Sequence, residues 1–453
     1  MQRGIRTALV LSIVSLVGIA GCGGGGGGVD GGSGGSGVVS ADPAFSKEGP
    51  DHGWSQTNVA LDPKTLACQG AAPNPSRGVT DTSIKIGGLA SLTSPAGAAF
   101  GDIDAGAKAR FARANAEGGV AGRQIDFVGV RDDGSDAARD GEQARALVEQ
   151  EQVFAVAPVA VSAPNFLDTF CKQVVPFFGW GTNTAFCGNV IGFGITGCQT
   201  PAPKAQRTVN TGSPVGVAKL LPAGAAKTIA VVGNDIEAAR QGNITIGQGF
   251  ESAGFRVVYQ KTPIPLSGLT DPTPIVSAIM TADGGKPPAA VFTVLQFADS
   301  VKMVSALKAA GYKGLLITPI YDPRLAGVAE LDGTYAIVGW QPGISTDVPA
   351  IAQMVKDFAT YAPGVALSTP VMAGYWSADL VISALRKVGR NLTVDSFLKV
   401  LNDNYTNYVP GALPETRWPL NHIASSPCGT LAHLVDKTWT APPETCGVIA
   451  KAP

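Results

Sequence analysis

The sequence contains few charged residues and no excess of either sign. Lysine and arginine together number 34 against 35 aspartates and glutamates, and charged residues make up only 15% of the 453-residue chain. Proteins that hold nucleic acid or another acidic polymer rely on clustered positive charge. This balance gives no electrostatic reason for such a partner, and we predict that the protein binds no nucleic acid.

Motifs for catalysis and metal binding are also scarce. The three histidines, His52, His422 and His433, show no ligand spacing, and the chain has neither a Cys-x-x-Cys nor a Gly-x-Ser-x-Gly motif. Asp132 and Asp133 are candidates for paired acids, although solvated loop carboxylates are the commoner explanation. We predict a protein that is not an enzyme and uses no metal and no cofactor, with a hydrolase as the less favoured alternative.

A glycine pattern at residues 192–197 matches the dinucleotide-binding spacing G-x-G-x-x-G. That fingerprint requires a helix that opens directly after it, so that phosphates meet the helix N-terminus. Cys187 and Cys198 flank the pattern, and Pro201 and Pro203 follow it, which disfavours a helix there. We expect a disulfide-closed hairpin loop instead.

The N-terminus has the pattern of an export signal. Arg3 and Arg6 precede an uncharged apolar run over residues 8–19, which is shorter than the roughly 20 residues of a membrane-spanning helix. The end of this run, Ile19-Ala20-Gly21-Cys22, resembles the bacterial lipobox. The resemblance implies that residues 1–21 are a signal peptide and that Cys22 carries a diacylglyceryl group.

Glycine and serine dominate residues 23–37, a composition typical of a flexible chain. We interpret residues 22–78 as a tether followed by an irregular arm that is held at Cys68. A lipid anchor on such a tether places a soluble body just outside a membrane.

Six cysteines remain when Cys22 is set aside, and an even count in an exported chain indicates three disulfides. Cys187–Cys198 and Cys428–Cys446 are the pairs closest in sequence, which leaves Cys68–Cys171. Six cysteines allow 15 pairings, so the connectivity stays open at this stage.

From about residue 79 onward, short apolar strands alternate with amphipathic helices, and the series occurs twice. The predicted strands lie near residues 84–89, 124–130, 153–159 and 174–178, and then near 228–233, 256–260, 290–295 and 315–318. This rhythm indicates an α/β fold with mostly parallel sheets. Two series of similar length predict two similar lobes.

Several segments form a recognisable set: Ile84-Lys85-Ile86-Gly87, Leu92-Thr93, Asn115 with Gly118-Gly119-Val120-Ala121-Gly122-Arg123, Asp132-Asp133, the helix with Ala373, Tyr375, Ala378 and Asp379, and the strand before Trp439. Together they resemble the leucine/isoleucine/valine-binding family of ABC-transporter substrate-binding proteins, which have the type I periplasmic-binding-protein fold. The resemblance covers residues 79–441. It implies three inter-lobe crossovers, near 206, 343 and 426. It divides the body into an N-terminal lobe (79–206 with 344–425) and a C-terminal lobe (207–343 with 426–453).

The resemblance also implies that the ligand lies between the lobes, against loops at the carboxyl ends of strands. The residues that fall on those loops are Thr93, Ser94, Ser162, Trp180, Thr182, Asn183, Gln296, Tyr321 and Asp322, although a tryptophan and an asparagine are atypical of the family at positions 180 and 183. Asp322 is the acidic candidate for a ligand ammonium, and Trp180 is either a ligand contact or a packed residue between the lobes. The sequence departs from the family where Ala238 and Ala239 replace the expected aromatic residue.

We therefore predict an extracytoplasmic, monomeric lipoprotein on the outer face of the cytoplasmic membrane. It captures a small amino-acid-like ligand (an amino acid, an amide or a small carboxylate) and delivers it to ABC permease subunits. A ligand sensor of the same fold that is not coupled to transport is the alternative, and a lipid-anchored hydrolase is less favoured.

Overall fold

The fold is described from a computed structural model. The structure describes residues 52–54, 57, 59–94, 100–200 and 207–453, together with the backbone of Val39–Ser40. These belong to one compact unit, Val38–Pro453. The predicted signal peptide, Cys22 and the glycine-rich tether lie outside the described residues.

The first series of strands and helices builds a parallel sheet. Its elements, with the two short strands that precede them, are β1 Val39–Ser40, β2 Ala60–Leu61, β3 Ser83–Ala90, α1 Ile103–Ala116, β4 Gln124–Asp132, α2 Ala137–Arg145, β5 Ala155–Ala160, α3 Leu167–Gln173, β6 Phe177–Gly179 and β7 Gly192–Gly194. Five of these strands form one sheet in the order β4-β3-β5-β6-β7, with all neighbours parallel. Every residue of β5 is buried, as expected of a central strand covered on both faces.

The second series follows without interruption. It comprises β8 Thr208–Asn210, α4 Gly212–Leu220, β9 Thr228–Asn234, α5 Glu237–Ser252, β10 Arg256–Ile264, α6 Thr273–Met280, β11 Ala290–Val294, α7 Phe297–Ala309, β12 Leu315–Thr318 and β13 Tyr335–Val338. Strand β9 is buried at all seven positions, so its run of valine and isoleucine marks the centre of a second sheet.

The last part of the chain adds strands to the second sheet and helices that cover the first series. It contains α8 Pro349–Tyr361, α9 Thr369–Val388, α10 Val394–Asn402, β14 Thr406–Val409, β15 Leu413–Arg417, β16 Cys428–Val435, β17 Thr438–Thr440, β18 Thr445–Cys446 and β19 Ile449–Lys451. The second sheet has the order β10-β9-β11-β12-β13-β16-β17, and β16 is antiparallel to β13. Helices α8 and α9 instead pack against α1 of the first series. The predicted α/β fold with parallel-rich sheets is confirmed.

We call the first sheet with α1–α3 and α8–α10 lobe 1, and the second sheet with α4–α7 lobe 2. Within lobe 1 the α1–α9 contact is unusually close, because a Cβ atom on Gly374 would lie 2.0 Å from the carbonyl oxygen of Ile103. Only glycine fits at that position without a shift of one helix.

The Asn115 to Arg123 segment, which carried most of the resemblance, builds the connection from α1 to β4. The Asn115 side chain both donates to and accepts from the backbone of Ile125, at 2.9 and 2.7 Å. Gly119 has a φ of +79°, a conformation that favours glycine. Arg123 donates to the carbonyl oxygens of Thr80 and Arg390. The motif therefore has a structural role in lobe 1.

The structure joins six cysteines in three disulfides, Cys68–Cys171, Cys187–Cys198 and Cys428–Cys446. The first ties the arm to α3 of lobe 1. Trp54 of the arm is fully buried and packs in an apolar cluster with Cys187, Cys198 and Leu420. The described part of the arm is thus held by packing as well as by the covalent bond.

The expectation of a hairpin loop at residues 192–197 is wrong, because β7 runs parallel to β6 as an edge strand. Phe193 is fully buried and stacks on Phe178, with ring centroids 5.2 Å apart, so apolar packing draws this segment into the sheet. No helix opens within residues 195–200, as the sequence indicated.

Candidate ligand-binding site

A cavity of about 300 Å³ lies where loops of both lobes meet. Lobe 1 contributes the segments after β6 and β7, and lobe 2 contributes the segments after β9, β11 and β12 together with part of α5. These segments follow the carboxyl ends of parallel strands, which is where open α/β sheets bind their ligands. The volume is within the range of small-molecule sites.

The floor of the cavity is apolar and belongs to lobe 2. Ile246 and Phe250 of α5, Phe292 of β11 and Ile337 of β13 line it and belong to one apolar cluster. On the lobe 1 side, Trp180 forms edge-to-face contacts with Phe100 and Trp340, at centroid distances of 5.9 and 5.8 Å. Aromatic and branched side chains therefore surround most of the space.

Polar groups converge at the N-terminus of α7. Asn234, at the end of β9, accepts a bond at 2.7 Å from the backbone N–H of Gln296 and donates at 2.8 Å to Asp299. Asp299 also accepts from the backbone N–H of Leu269 at 2.7 Å. This chain of bonds fixes the backbone position of Gln296.

The side chain of Gln296 has no such partner. It lines the cavity and is 6% exposed, and both its amide nitrogen and its amide oxygen are buried without a hydrogen bond. A buried unpaired amide is costly, on the order of 1–3 kcal/mol for each group left unsatisfied. A ligand toward which this side chain turns removes that cost.

Three of the residues predicted from the sequence, Trp180, Thr182 and Gln296, line this cavity. Trp180 lines the cavity and also packs against Trp340. Tyr321 and Asp322 follow β12 but point elsewhere. Tyr321 is fully buried in an edge-to-face contact with Trp439. Asp322 accepts hydrogen bonds from Nε and Nη2 of Arg324 while it caps a short 3₁₀ turn.

The four remaining predicted residues lie outside the cavity lining in lobe 1. Asn183 caps a 3₁₀ turn by accepting from the Ala185 N–H and donates to the carbonyl oxygen of Val161. Ser162 is buried directly after β5, and Thr93 and Ser94 follow β3. The Thr93 hydroxyl donates to Asp132 at 2.6 Å.

The acids near the end of β4 form a cluster outside this lining. Burial acts to raise the pKa of Asp132, but bonds from the Thr93 hydroxyl and from backbone N–H groups outweigh it and lower the pKa. Asp133 is 1% exposed, so the expectation of two solvated carboxylates is wrong for this residue. Burial, together with the charge of Asp133, raises the pKa of Asp140 to about 8.

One group of potential metal ligands occurs within the described residues. Ligand atoms of His52, Cys428, Glu444 and Cys446 lie within 4.8 Å of one another. The two cysteines are joined as a disulfide, however, and a disulfide sulfur is not a thiolate ligand. An imidazole and a carboxylate remain, fewer than the four ligands of a structural zinc site.

Sequence reasoning missed the apolar floor of the cavity. Ile246 and Phe250 recur at helical spacing on α5, a pattern typical of a helix packed on a core. The same spacing fits a helix that faces a cavity, so periodicity alone does not separate the two cases.

The comparisons with known proteins agree with this architecture. Residues 83–432 match the family model described as periplasmic binding protein, and the chain belongs to that family, whose members bind small ligands outside the cytoplasm. No curated protein sequence matches the chain.

Solved structures with the same fold include three substrate-binding proteins of ABC transporters. One from Aeropyrum pernix is 17% identical, covers 82% of this chain and 96% of its own, and has a TM-score of 0.64. A branched-chain amino acid transporter substrate-binding protein from Streptococcus pneumoniae, in complex with isoleucine, is 17% identical. The match covers 80% of this chain and 99% of that protein, with a TM-score of 0.59. A solute-binding protein from R. palustris, in complex with 4-hydroxybenzoate, is 19% identical. The match covers 82% of this chain and 97% of that protein, with a TM-score of 0.61. At these identities the likeness establishes the fold.

None of the helices in the described part of the chain is both long enough and apolar enough to span a membrane.

Proposed function

We propose that this protein is a solute-binding subunit that captures a small molecule between its two lobes and delivers it to an ABC importer. The observation that carries the proposal is the cavity, whose lining comes from strand-end loops of both lobes. A ligand that contacts both lobes stabilises the arrangement in which they are close, by its differential affinity for that state. The ligand-bound form then docks on the permease as a monomer.

The division of the chain between lobes fits this action. We infer three crossings, near residues 206, 343 and 426, that act as the hinge between residues 79–206 with 344–425 and residues 207–343 with 426–453. The packing of α8 and α9 on α1 supports the second crossing, and the place of β16 in the second sheet supports the third. Domain closure about a few connecting segments is common in ligand-binding proteins.

The ligand classes considered from the sequence were amino acids, amides and small carboxylates. Structural relatives hold isoleucine in one case and 4-hydroxybenzoate in another, so the fold accommodates both an amino acid and an aromatic acid. Both molecules are small enough for a cavity of about 300 Å³.

The direct test of the function is to identify what the protein carries. Small molecules released from the purified, denatured full-length protein and measured by mass spectrometry are expected to include one compound near equimolar amount. Ala239→Phe places an aromatic ring where Ala239 of α5 lines the cavity and is expected to remove that compound.

Ile244→Phe is the matched control, because Ile244 lies on the same helix but is 39% exposed. This variant should retain the compound, and thermal melting should show that both variants are folded. Retention of the compound by a folded Ala239→Phe variant would place the ligand elsewhere. If cells that lack the protein take up that compound at an unchanged rate, delivery to an importer is contradicted.

We also propose a lipid anchor at Cys22 on the outer face of the cytoplasmic membrane. Two acyl chains attach a protein stably, whereas one is marginal. Cys22→Ala is expected to leave the body folded and to release it into the soluble fraction, measured by fractionation and immunoblotting. Cys22 is the only cysteine outside the three disulfides, so thiol pairing in the body is unaffected. Recovery of the variant in washed membranes would contradict the anchor.

A further inference from the structure

We infer that the ligand has an apolar body with a single carboxyl or carboxamide head group and carries no ammonium group. This inference rests on the proposed function and narrows the ligand class of the same cavity. Four features of the described residues support it: the unpaired Gln296 amide, two helix N-termini, the absence of charged lining residues, and the apolar floor.

The Gln296 amide identifies the head group. Its nitrogen is a donor and its oxygen is an acceptor, and both are covered by neighbouring atoms and have no hydrogen-bond partner, while the residue itself lines the cavity. In the proposed complex this flexible side chain turns toward the bound ligand. The bonds through Asn234 and Asp299 hold the backbone of this residue, so the side chain is presented from a fixed point. A carboxamide or a protonated carboxyl group satisfies both amide atoms, and a carboxylate satisfies the nitrogen.

Two helices begin at the same cavity. Gln296 is the N-cap residue of α7 and Ile236 is the N-cap residue of α5, and neither side chain makes a capping hydrogen bond. Backbone N–H groups in the first turn of each helix therefore have no side-chain acceptor at the cap, and the helix dipole favours negative charge there. The long α5 and α7, together with Gln296, favour a ligand oxygen that accepts hydrogen bonds.

The described lining offers no counter-charge for an ammonium group. None of the described residues that line the cavity is aspartate, glutamate, lysine, arginine or histidine. Asp322, the candidate predicted from the sequence, is bound by Arg324, and Asp299 is held by Asn234 and the N–H of Leu269. A buried cation without a carboxylate is expensive, so a free amino acid is a poor fit.

The other end of the ligand is specified by the floor of the cavity. Ile246, Phe250, Phe292 and Ile337 provide aromatic and branched surface there. Burial of apolar ligand area against such surface is favourable, at about 25 cal/mol per Å². An aliphatic or aromatic body is therefore expected.

Matched probes test the inference. L-phenylalanine, 3-phenylpropanoate and 3-phenylpropanamide share one apolar body and differ only in the ammonium group and the head group. Equilibrium binding of each to the full-length protein, dialysed free of endogenous ligand, is expected to favour one of the two deaminated probes over phenylalanine by roughly tenfold or more. The same comparison with leucine, 4-methylpentanoate and 4-methylpentanamide tests an aliphatic body, and the better deaminated probe of each set identifies the head group.

The Gln296→Glu variant assigns the effect to this side chain. Glutamate keeps the size of glutamine but replaces the donor with a negative charge, so it should weaken 3-phenylpropanoate binding roughly tenfold and improve phenylalanine binding. Gln143→Glu in lobe 1 is the control, because Gln143 lies near Arg131 and outside the cavity lining. Its binding constants should be those of the unmodified protein.

Different results would contradict the ligand class inferred here and the proposed solute-binding function. If phenylalanine or leucine binds as tightly as its deaminated partners, the inference is wrong and solute binding stands. An unchanged probe preference in a folded Gln296→Glu variant also contradicts the inference. If no probe binds and the purified protein carries no small molecule, the proposed function itself fails, and the inference fails with it.

Discussion

Removal of the Cys68–Cys171 disulfide is expected to lower the free energy of unfolding by about 4–5 kcal/mol. The bond joins residues 103 positions apart, so in the unfolded chain it closes a long loop and removes much conformational freedom. Cys187–Cys198 joins residues only 11 apart. From loop entropy alone, the Cys187–Cys198 bond contributes about 2–3 kcal/mol to the free energy of unfolding. The arm should also detach more readily from α3 when its covalent link is lost.

The measurement is urea denaturation of the Cys68→Ala/Cys171→Ala and Cys187→Ala/Cys198→Ala variants beside the unmodified protein. Cys187 and Cys198 are buried, at 3% and 4% exposure, so their replacement also removes packed sulfur atoms. This loss of packing adds to the destabilisation of the Cys187→Ala/Cys198→Ala variant. The two variants are therefore expected to differ less in unfolding free energy than loop entropy alone predicts. If the Cys68→Ala/Cys171→Ala variant loses less than about 2 kcal/mol of unfolding free energy, the entropy of the unfolded chain is not the main source of stabilisation by this disulfide.

Much of the fold could be predicted because each buried parallel strand appears as an uninterrupted apolar run. Strands β5 and β9 are covered on both faces, and no alternation with polar residues obscures them. The β14–β15 hairpin was missed for the opposite reason. Its second strand, Leu413–Arg417, carries Glu415 and Arg417, which look like surface residues, yet all five positions are buried.

The site was predictable only in part, because ligand-binding residues and capping residues are of the same types. Thr182 and Gln296 follow strand ends and line the cavity. Asn183 and Asp322 also follow strand ends, but their side chains satisfy the first N–H groups of 3₁₀ turns. Short polar side chains serve both purposes, and only the direction of each side chain distinguishes them.

The buried pair Glu415–Arg417 supports a second prediction of large effect. Nε of Arg417 lies 2.6 Å from Oε1 of Glu415, and the side chains are only 2% and 5% exposed for Arg417 and Glu415, respectively. The Arg417 guanidinium also lies over the Trp54 ring, 5.2 Å from its centroid, so the pair links the arm to the hairpin. Arg417→Met is expected to cost about 3–5 kcal/mol, because it leaves the Glu415 carboxylate buried without its guanidinium.

A double-mutant cycle measured by urea denaturation separates this cost from the worth of the pair. Glu415→Leu should also destabilise, since it removes a carboxylate partner of the buried Arg417 guanidinium, and Arg417→Met/Glu415→Leu should cost less than the two single changes together. Arg240→Met is the control, because Arg240 and Asp235 are 44% and 57% exposed, and its loss should cost less than about 1 kcal/mol. Additive costs in the Glu415–Arg417 cycle would show that the two charges are solvated independently, and the hairpin would then be less tightly packed against the arm than the structure indicates.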